Sequence, residues 1–318
     1  MKGIGIYEYG NESKLVSVNI ATPTLQDNEV LIDIKASGVN PVDWKIREGW
    51  LQDALPYQLP LILGWDAAGI IKAVGQNVTE FKVGDDVFFR PEIEKQGTYA
   101  DEIVVPAQFV AHMPQDISYV EAAALPLVGL TVWQALVEVG KIKANDEVLI
   151  LAGSGGIGST AIQIAKALGA HVTTTTSTKN IDYVRKLGAD HVIAYDQESI
   201  RATSKHFDFM LDTLGSEAYE EALEKMKPNS IIATIFGSPT HKRADRVCAK
   251  EQALNLTIEY VFTRPDGQNL EKLKQLVEQK KLIPHVSEVY PMTVEGVREA
   301  HLSNQTGRTK GKIVLQQS

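Results

Sequence analysis

The stretch "VLILAGSGGIGSTAIQIAKALGA", residues 148–170, joins an apolar run, a cluster of glycines and a helical pattern. A continuous apolar run such as 148–152 is typical of a strand that is covered on both faces in a parallel sheet. Apolar residues then recur at helical spacing over 161–168, and Gly169 follows them as a helix terminator. The order strand, tight turn, helix predicts an α/β fold.

The glycines of this turn, Gly153, Gly155 and Gly158, fit the pattern G-x-G-x-x-G. In such a unit the first glycine permits the turn, the second lets the backbone approach a pyrophosphate, and the third lets helix and strand pack together. Free N–H groups at the start of the helix then face the phosphates. The sequence therefore predicts a dinucleotide site here.

The end of the next strand indicates which dinucleotide is bound. An acidic residue at this place would accept hydrogen bonds from the adenosine ribose 2′-OH, but residues 171–180, "HVTTTTSTKN", contain none. Ser177, Thr178 and Lys179 instead offer hydroxyl donors and a positive charge to a 2′-phosphate. NADPH is the predicted cofactor; the alternative is a threonine-rich strand end with a solvated lysine.

Strand and helix patterns continue to alternate beyond the motif. Further strands are predicted over 190–195, 207–212 and 230–237, with helical stretches between them. This alternation favours a doubly wound parallel sheet, in which ligands bind at the carboxyl ends of the strands. The residues expected near the cofactor on this ground are Tyr195, Asp212, Phe236 and Gly237.

The amino-terminal part has short alternating segments interrupted by Gly, Pro and Asn, which predict an antiparallel, β-rich domain. The formal net charge of -8 makes nucleic acid an unfavourable partner. No apolar run is long enough to span a bilayer and the amino terminus lacks a signal-like hydrophobic stretch, so we expect no membrane partner and a cytoplasmic location. Cys248 is the single cysteine, and a small buried residue is the favoured interpretation.

Several motifs together resemble the zinc-independent quinone oxidoreductases of the medium-chain dehydrogenase/reductase superfamily, over essentially the whole chain. They are "ASGVNPVDWKIREG" (36–49), "LILGWDAAGIIKAVGQNVTEFKVGDDVF" (61–88), "GTYADEIVVP" (97–106), "AAALPLVGLTVWQAL" (122–136), "YVFTRPDG" (260–267) and "GRTKGKIVL" (307–315). The form "NPVDWK" is most similar to the branch of the chloroplast-envelope quinone oxidoreductase homologue and related enone reductases. The resemblance implies a GroES-like catalytic domain, 1–120 and 265–318, and a Rossmann domain that binds NADPH, 121–264.

The residues at the zinc positions of the related alcohol dehydrogenases differ here. Where those enzymes place a Cys and a His, this chain has Asn40 and Trp65, and the four-cysteine structural site is missing. No metal site is therefore expected. Without a metal to polarise a carbonyl, the favoured hydride acceptor is one that is already activated by conjugation.

Carried over by position, the resemblance implies roles for further residues. The implied pyrophosphate contacts are Gly155, Gly156 and Ile157, and the implied 2′-phosphate contacts are Ser177, Lys179 and Tyr195. Thr131 is implied near the nicotinamide, Lys45 at the cofactor or substrate, and a closing segment at Phe262, Arg308, Lys310 and Lys312. Simple packing or solvated charge is the alternative for Lys45 and for the closing segment.

Catalytic roles follow less directly, because hydride transfer chiefly requires that donor and acceptor carbons be held close. We expect Asn40 to stabilise developing negative charge on the carbonyl oxygen, and Lys45 to supply charge or a proton. Tyr57 is a second candidate proton donor, and bulk water is the alternative. Asp43 and Asp66 are interpreted as structural.

The predicted function is transfer of hydride from NADPH to a quinone or to the β-carbon of an α,β-unsaturated carbonyl. An enoyl-thioester reductase and a non-catalytic NADPH-binding sensor or structural protein stay open as alternatives. The family resemblance further implies a homodimer. The sequence does not specify the physiological acceptor.

Overall fold

The computed structural model describes residues 1–237 and 243–317. The chain divides into two compact units. The first unit comprises Met1–Leu130, Arg264–Lys280 and Pro284–Ser318, and the second comprises Thr131–Thr263 and Lys281–Ile283. The sequence predicts the first change of domain after residue 120 and the second after residue 264, whereas the units change after Leu130 and after Thr263.

The amino-terminal segment supplies most strands of the first unit. Its strands are β1 (Lys2–Ile6), β2 (Val16–Asn19), β3 (Glu29–Val39), β4 (Leu61–Ile62), β5 (Ala67–Val74), β6 (Asp86–Phe89), β7 (Glu102–Pro106) and β8 (Val110–His112). Its helices are α1 (Pro41–Arg47), α2 (Tyr119–Ala123) and α3 (Pro126–Trp133), and a π-helical segment, Gln134–Val139, follows. The sequence pattern did not predict α1, which is only two turns long; Pro41 at its first position has a backbone angle already suited to a helix.

The middle segment alternates strand and helix as predicted. Its elements are β9 (Glu147–Ile150), α4 (Gly156–Ala167), β10 (His171–Thr176), α5 (Ile181–Lys186), β11 (His191–Ala194), β12 (Phe207–Asp212), α6 (Ser216–Leu223), β13 (Met226–Thr234), α7 (Asp245–Ala253) and β14 (Thr257–Tyr260). The strands pair in parallel in the order β11-β10-β9-β12-β13-β14. The strand order runs outward from β9 to one edge through β10 and β11, and to the other edge through β12, β13 and β14. The topological switch point therefore lies at β9, and such sheets bind ligands at the carboxyl ends of the strands beside it.

The carboxyl-terminal segment returns to the first unit. Its elements are α8 (Gly267–Glu278), β15 (Val286–Pro291), α9 (Val294–Gln305) and β16 (Lys312–Gln316). The larger sheet of this unit has the order β15-β16-β3-β5-β6-β8, with β7 also paired to β3, and a smaller sheet has the order β2-β1-β4. All of these pairings are antiparallel except β15 with β16. The predicted combination of a β-rich, GroES-like part with a doubly wound parallel sheet is confirmed.

Each unit has its own apolar core. In the first unit Trp65, Phe89 and Tyr99 lie fully buried among the aliphatic side chains of the strands. In the second unit Leu149 and Met210 lie on the central strands and pack within a buried cluster. These cores fix the strand ends, and many of the candidate functional residues lie at those ends or in the loops that follow, while Lys45 lies in α1 and Thr131 in α3.

Candidate functional site

The glycine turn connects β9 to α4. The strand ends at Ile150, two residues before the predicted end, and Ala152 takes a left-handed conformation with φ of 55°. The N–H of Ala152 donates to Thr175 Oγ1 at 3.0 Å and that of Gly153 donates to Thr175 O at 2.8 Å. The turn is therefore fastened to β10, and α4 begins directly after it at Gly156.

The three motif glycines have different surroundings. A Cβ at Gly153 would lie 2.1 Å from Thr174 Oγ1, and one at Gly158 would lie 2.2 Å from Ala152 O and 2.6 Å from Gly153 Cα. A Cβ at Gly155 would meet only Ala152 O, at 3.6 Å. The first and third glycines thus serve packing inside the protein, while the second borders open space, as a backbone that must approach a pyrophosphate requires. The geometry of the turn fits a dinucleotide.

The helix that follows offers phosphate-binding groups. The first N–H groups of a helix have no acceptor within it, and in α4 these belong to Gly156, Ile157 and Gly158. The positive end of the helix dipole lies at the same place. These N–H groups could therefore bind a pyrophosphate; the contacts that the family resemblance implies for it are Gly155, Gly156 and Ile157.

Strand β10, to which the turn is bonded, consists largely of buried threonines. Thr174 is fully buried, and its hydroxyl donates to Ile150 O of the neighbouring strand at 2.7 Å. Because β-branched residues suit strands and these hydroxyls find backbone partners, a polar strand can lie inside the sheet. The strand ends at Thr176, and the predicted 2′-phosphate residues follow in the next loop.

The loop after β10 contains Ser177, Thr178 and Lys179. Asn180 Nδ2 lies 3.2 Å from Ser154 Oγ and 3.3 Å from Ser177 Oγ, so this loop is joined to the glycine turn. Lys179 is exposed and forms no ion pair with a carboxylate among the described residues. Its ammonium and the Ser177 hydroxyl lie at the carboxyl end of β10, where an adenosine ribose is expected.

Thr178 has a different environment from the predicted one. Its N–H and its hydroxyl both donate to Asp196 Oδ1, each at 2.9 Å. The pKa of Asp196 is lowered, chiefly because this carboxylate accepts the N–H of Thr178. The predicted donation from Thr178 to a 2′-phosphate is not supported, since Asp196 already accepts from both groups. The sequence analysis missed Asp196 because it follows β11, whereas the acidic residue was expected at the end of β10.

Other predicted cofactor residues of the second unit follow neighbouring strand ends. Tyr195 follows β11 with 65% of its surface exposed, and Phe236, after β13, is 44% exposed. Gly237 is exposed with φ of 84°. The exposed aromatic rings and the glycine turn thus lie at the same edge of one sheet.

Two further predicted contacts of this unit lie near its chain boundaries. Thr131 is buried and its hydroxyl lies 2.6 Å from that of Thr263, and the neighbouring Phe262 is half exposed. Thr131 and the segment at Phe262 are thus held next to each other. Their roles toward the nicotinamide stay predictions.

In the first unit, Asn40, Asp66 and Lys312 form a buried polar cluster. Asn40 Nδ2 donates to Asp66 Oδ2 at 2.8 Å, and Lys312 Nζ donates to Asn40 Oδ1, to Asp66 Oδ2 at 3.1 Å and to Val39 O at 3.0 Å. Asp66 Oδ1 also accepts from the N–H of Leu127. Asn40, predicted to stabilise an oxyanion, has its carbonyl and one N–H engaged within the protein, and Lys312 is buried beside it rather than free in a closing segment.

Asp43 begins a second buried chain of hydrogen bonds. Its Oδ2 accepts from the N–H of Asn40 at 2.8 Å and from Tyr99 Oη at 2.6 Å, while Oδ1 has no hydrogen-bond partner among the described residues. His301 Nε2 lies 3.3 Å from Tyr99 Oη, and Arg47 Nη1 lies 3.1 Å from His301 Nδ1. Because a guanidinium only donates, Nδ1 accepts and Nε2 carries the proton of a neutral imidazole.

Burial determines the protonation of Asp43 and His301 in this second set of hydrogen bonds. It raises the pKa of Asp43 to about 7, against the opposing effect of the Tyr99 hydrogen bond. It lowers the pKa of His301 to about 3, and the nearby Arg47 guanidinium acts in the same direction. The structural interpretation of Asp43 and Asp66 agrees with this arrangement.

The two candidate proton donors differ. Tyr57 Oη donates to Ile93 O at 2.7 Å, and burial raises the pKa of its phenol, which disfavours the predicted role as an acid. Lys45 is half-buried with Nζ 5.6 Å from the centroid of the Trp44 ring, and burial lowers its pKa. An ammonium with a lowered pKa releases a proton more readily, so Lys45 is the better placed of the two.

The remaining predicted cations and the zinc positions lie in the same unit. Arg308 is exposed and Lys310 half-exposed, in the loop between α9 and β16. Trp65 is fully buried and its ring lies 6.2 Å from that of Tyr57. Within residues 1–237 and 243–317, no group of three or more His, Cys, Asp and Glu side chains is arranged to hold a metal ion.

Comparison with known proteins identifies the relatives of this chain. The alcohol dehydrogenase GroES-like domain family matches residues 26–115, and the zinc-binding dehydrogenase family matches residues 187–315. The mitochondrial NAD(P)H oxidoreductase RTN4IP1 of Bos taurus is 33% identical, with 98% of this chain and 87% of the relative covered. The chloroplast envelope quinone oxidoreductase homolog of Arabidopsis thaliana is 30% identical, with 96% and 95% covered. The chain belongs to the medium-chain dehydrogenase/reductase superfamily.

Solved structures agree with this assignment. The quinone oxidoreductase of Coxiella burnetii aligns with a TM-score of 0.89 at 30% identity, covering 99% of each chain. The Escherichia coli quinone oxidoreductase complexed with NADPH aligns with a TM-score of 0.86 at 26% identity, covering 99% of this chain and all of that one. This medium-chain dehydrogenase/reductase is an NAD(P)H-dependent oxidoreductase, which confirms the predicted family, enzyme class and kind of cofactor.

The predicted cytoplasmic location is wrong. The bovine relative is named mitochondrial, and relatives from Arabidopsis thaliana and Spinacia oleracea are named for the chloroplast envelope and the chloroplast. The prediction rested on a missing apolar stretch, but organelle targeting segments are amphipathic and basic rather than apolar. No helix of the described residues has the length and apolar character to cross a bilayer.

Proposed function

We propose that this oxidoreductase transfers hydride from NADPH to a quinone or to the β-carbon of an α,β-unsaturated carbonyl. The observation that carries the proposal is the buried cluster of Asn40, Asp66 and Lys312. At the positions where the related alcohol dehydrogenases bind zinc, this chain has an asparagine bonded to a lysine ammonium, and a buried tryptophan, Trp65. Neither asparagine nor tryptophan belongs to the usual zinc ligands, so the acceptor must be activated by its own conjugation.

The residues at the sheet edge support NADPH as the dinucleotide. We propose that the backbone of Gly155, Gly156 and Ile157 holds the pyrophosphate, and that Ser177 and Lys179 bind the 2′-phosphate. The open space at Gly155 and the unpaired ammonium of Lys179 support these roles. NADPH supplies the hydride, and the protein binds and orients it.

The reduced acceptor also needs a proton, which the hydride of NADPH does not supply. Lys45, half-buried and with a lowered pKa, is the proposed donor to the reduced acceptor or to a water beside it. Asn40 is proposed to position the loop before α1, because its amide is already bonded to Asp66 and Lys312.

Turnover on a panel of acceptors tests the proposed function. Purified protein is mixed with NADPH and, separately, with a quinone, a small enone, an enoyl thioester and a simple ketone, while absorbance at 340 nm is followed. We expect oxidation of NADPH with the quinone or the enone and none with the ketone, with unchanged rates after treatment with a chelator. Turnover confined to the ketone, or to the enoyl thioester, would contradict the proposal. A relative from tomato named 2-methylene-furan-3-one reductase, 31% identical over 99% of this chain, supports including a ring enone.

We also propose a homodimer. Strand β14 is the last strand of the parallel sheet, and Thr257 and Glu259 on it are exposed. An open strand edge is usually paired or covered in a stable protein, and a second copy of β14 would pair with it. Sedimentation equilibrium at micromolar concentration should give twice the chain mass of 34.9 kDa; a single chain mass would contradict a dimer.

A further inference from the structure

Asp196 lies next to the residues proposed to bind the 2′-phosphate. It follows Tyr195 at the end of β11, and its Oδ1 accepts both the N–H and the hydroxyl of Thr178, at 2.9 Å each. Thr178 lies between Ser177 and Lys179 in the chain. A carboxylate is thus hydrogen-bonded to the middle residue of the loop that the proposed function assigns to a dianionic phosphate.

The carboxylate is not neutralised by its surroundings. Asp196 is exposed, and its pKa is lowered through the Thr178 hydrogen bonds, so it is ionised at neutral pH. Lys179 directly follows Thr178 in the chain and forms no ion pair with Asp196, although both side chains are exposed. The ammonium of Lys179 and the carboxylate of Asp196 are therefore both present next to Thr178 without being paired to each other.

The two charges act differently on the two dinucleotides. A 2′-phosphate carries a charge between -1.5 and -2 in the neutral range, taking a phosphorylated hydroxyl as the guide, and is attracted by Lys179 and repelled by Asp196. A ribose 2′-OH carries no charge and can donate to a carboxylate. The attraction favours NADPH, while the repulsion opposes it and leaves NADH unaffected or slightly favoured.

We propose that Asp196 is a specificity residue for the dinucleotide, which orders the Ser177–Lys179 loop through Thr178 and, by its charge, reduces the preference for NADPH over NADH. This inference rests on the proposed binding of NADPH at Ser177 and Lys179. It accounts for a loop whose central threonine is bonded to an acid in a site that otherwise suits a phosphate. The protein accordingly uses NADH to a measurable extent.

The test measures dissociation constants of NADPH and NADH for four proteins by fluorescence titration at low ionic strength. They are the wild type, Asp196→Asn, Lys179→Ala and the control Glu198→Gln. Asparagine keeps an oxygen acceptor for Thr178 but removes the charge. Glu198 is exposed, two residues further on, and its loss changes the net charge equally.

We expect Asp196→Asn to bind NADPH about threefold to tenfold more tightly, as for a charge several ångströms from a phosphate in water, and NADH within about twofold of wild type. In about 0.5 M salt the gain should shrink, because screening acts over a few ångströms at that ionic strength. Glu198→Gln should leave the ratio of the two constants unchanged. Unchanged NADH affinity also shows that the variant is folded.

Two different failures can be told apart. If Lys179→Ala weakens NADPH and NADH equally, the 2′-phosphate does not bind at this loop, and both the proposed phosphate site and the role of Asp196 are overturned. If Lys179→Ala weakens NADPH selectively but Asp196→Asn leaves the NADPH to NADH ratio at the wild-type value, or shifts it toward NADH, only the role of Asp196 is overturned.

Discussion

Buried titratable residues show how the first unit accommodates charge. Asp43 and His301 lie at the two sides of Tyr99 in one chain of hydrogen bonds, and both are fully buried. Burial penalises the charged form of each, so it raises the pKa of the acid and lowers that of the base. The two groups therefore affect stability with opposite dependence on pH.

The signs follow from the protons that are bound. Asp43 keeps its proton in the folded state up to about pH 7 while the unfolded carboxyl loses it near 3.8, so this group's contribution to stability falls as pH rises through that window. His301 is neutral in the folded state down to about pH 3 while the unfolded imidazole is protonated below 6.5, so its contribution falls as pH decreases. Between about pH 4 and 6.5 the two slopes oppose each other.

Replacing Asp43 by Asn should remove one of these slopes. In Asp43→Asn, the free energy of unfolding should decrease by about 1.4 kcal/mol more per pH unit than in wild type as pH falls from 6.5 to 4.5. Urea denaturation at several pH values measures this. The control Asp53→Asn, an exposed acid of the same unit, should follow the wild-type profile. Identical pH profiles of Asp43→Asn and wild type would contradict the raised pKa of Asp43.

Single residues could be predicted from the sequence where their role is local. Lys179 and the motif glycines were identified because the strand, turn and helix that place them are adjacent in the chain. Lys312 was predicted in an open closing segment, but it is buried against Asn40, which is 272 residues away in the chain. Asp196 was missed, because its partner Thr178 is 18 residues away. Such partners are set by strand pairing in three dimensions, which hydrophobic periodicity does not reveal.

At the scale of elements, different glycines of the turn from β9 to α4 serve packing and the proposed ligand binding. Gly158 contacts the backbone of Ala152 and Gly153 so closely that no side chain fits, whereas Gly155 borders open space with an ordinary φ of -77°. An alanine is thus conformationally allowed at Gly155 but would occupy the space proposed for the pyrophosphate.

Two alanine variants should therefore fail in different ways. Gly158→Ala should lower the free energy of unfolding by about 1–3 kcal/mol, as overpacking does. Gly155→Ala should change stability by only a few tenths of a kcal/mol, as is usual for substitutions that strain nothing, yet bind NADPH at least about tenfold more weakly. Chemical denaturation and NADPH titration measure the two effects. Equal stability losses, or wild-type NADPH affinity in Gly155→Ala, would argue against the assigned roles.

Element type was more predictable than element ends. Strand β12 has the predicted bounds, 207–212, because its apolar residues define it clearly. Strand β13 begins at Met226 rather than at residue 230, and α1 was missed. Short helices and strand extensions depend on tertiary packing, which overrides weak local preference.

At the scale of the whole molecule, the pattern of the sequence predicted a parallel sheet and a β-rich part, and the structure has both. That both chain ends contribute to one unit came from the family resemblance, since no local pattern indicates which distant segments pair. Strand β16 pairs with β3, across more than 270 residues of sequence, as in Ile313 with Val39. The choice of acceptor likewise depends on loops that carry no recognisable motif.

The transfer of hydride to a conjugated carbon is the central claim, and isotope tracing tests it most directly. The protein is incubated with NADPH deuterated at the transferred position of the nicotinamide C4 and with a small enone, and the product is analysed by NMR. Deuterium at the β-carbon of a saturated ketone is the predicted result. Deuterium at the carbonyl carbon of an alcohol would contradict the account.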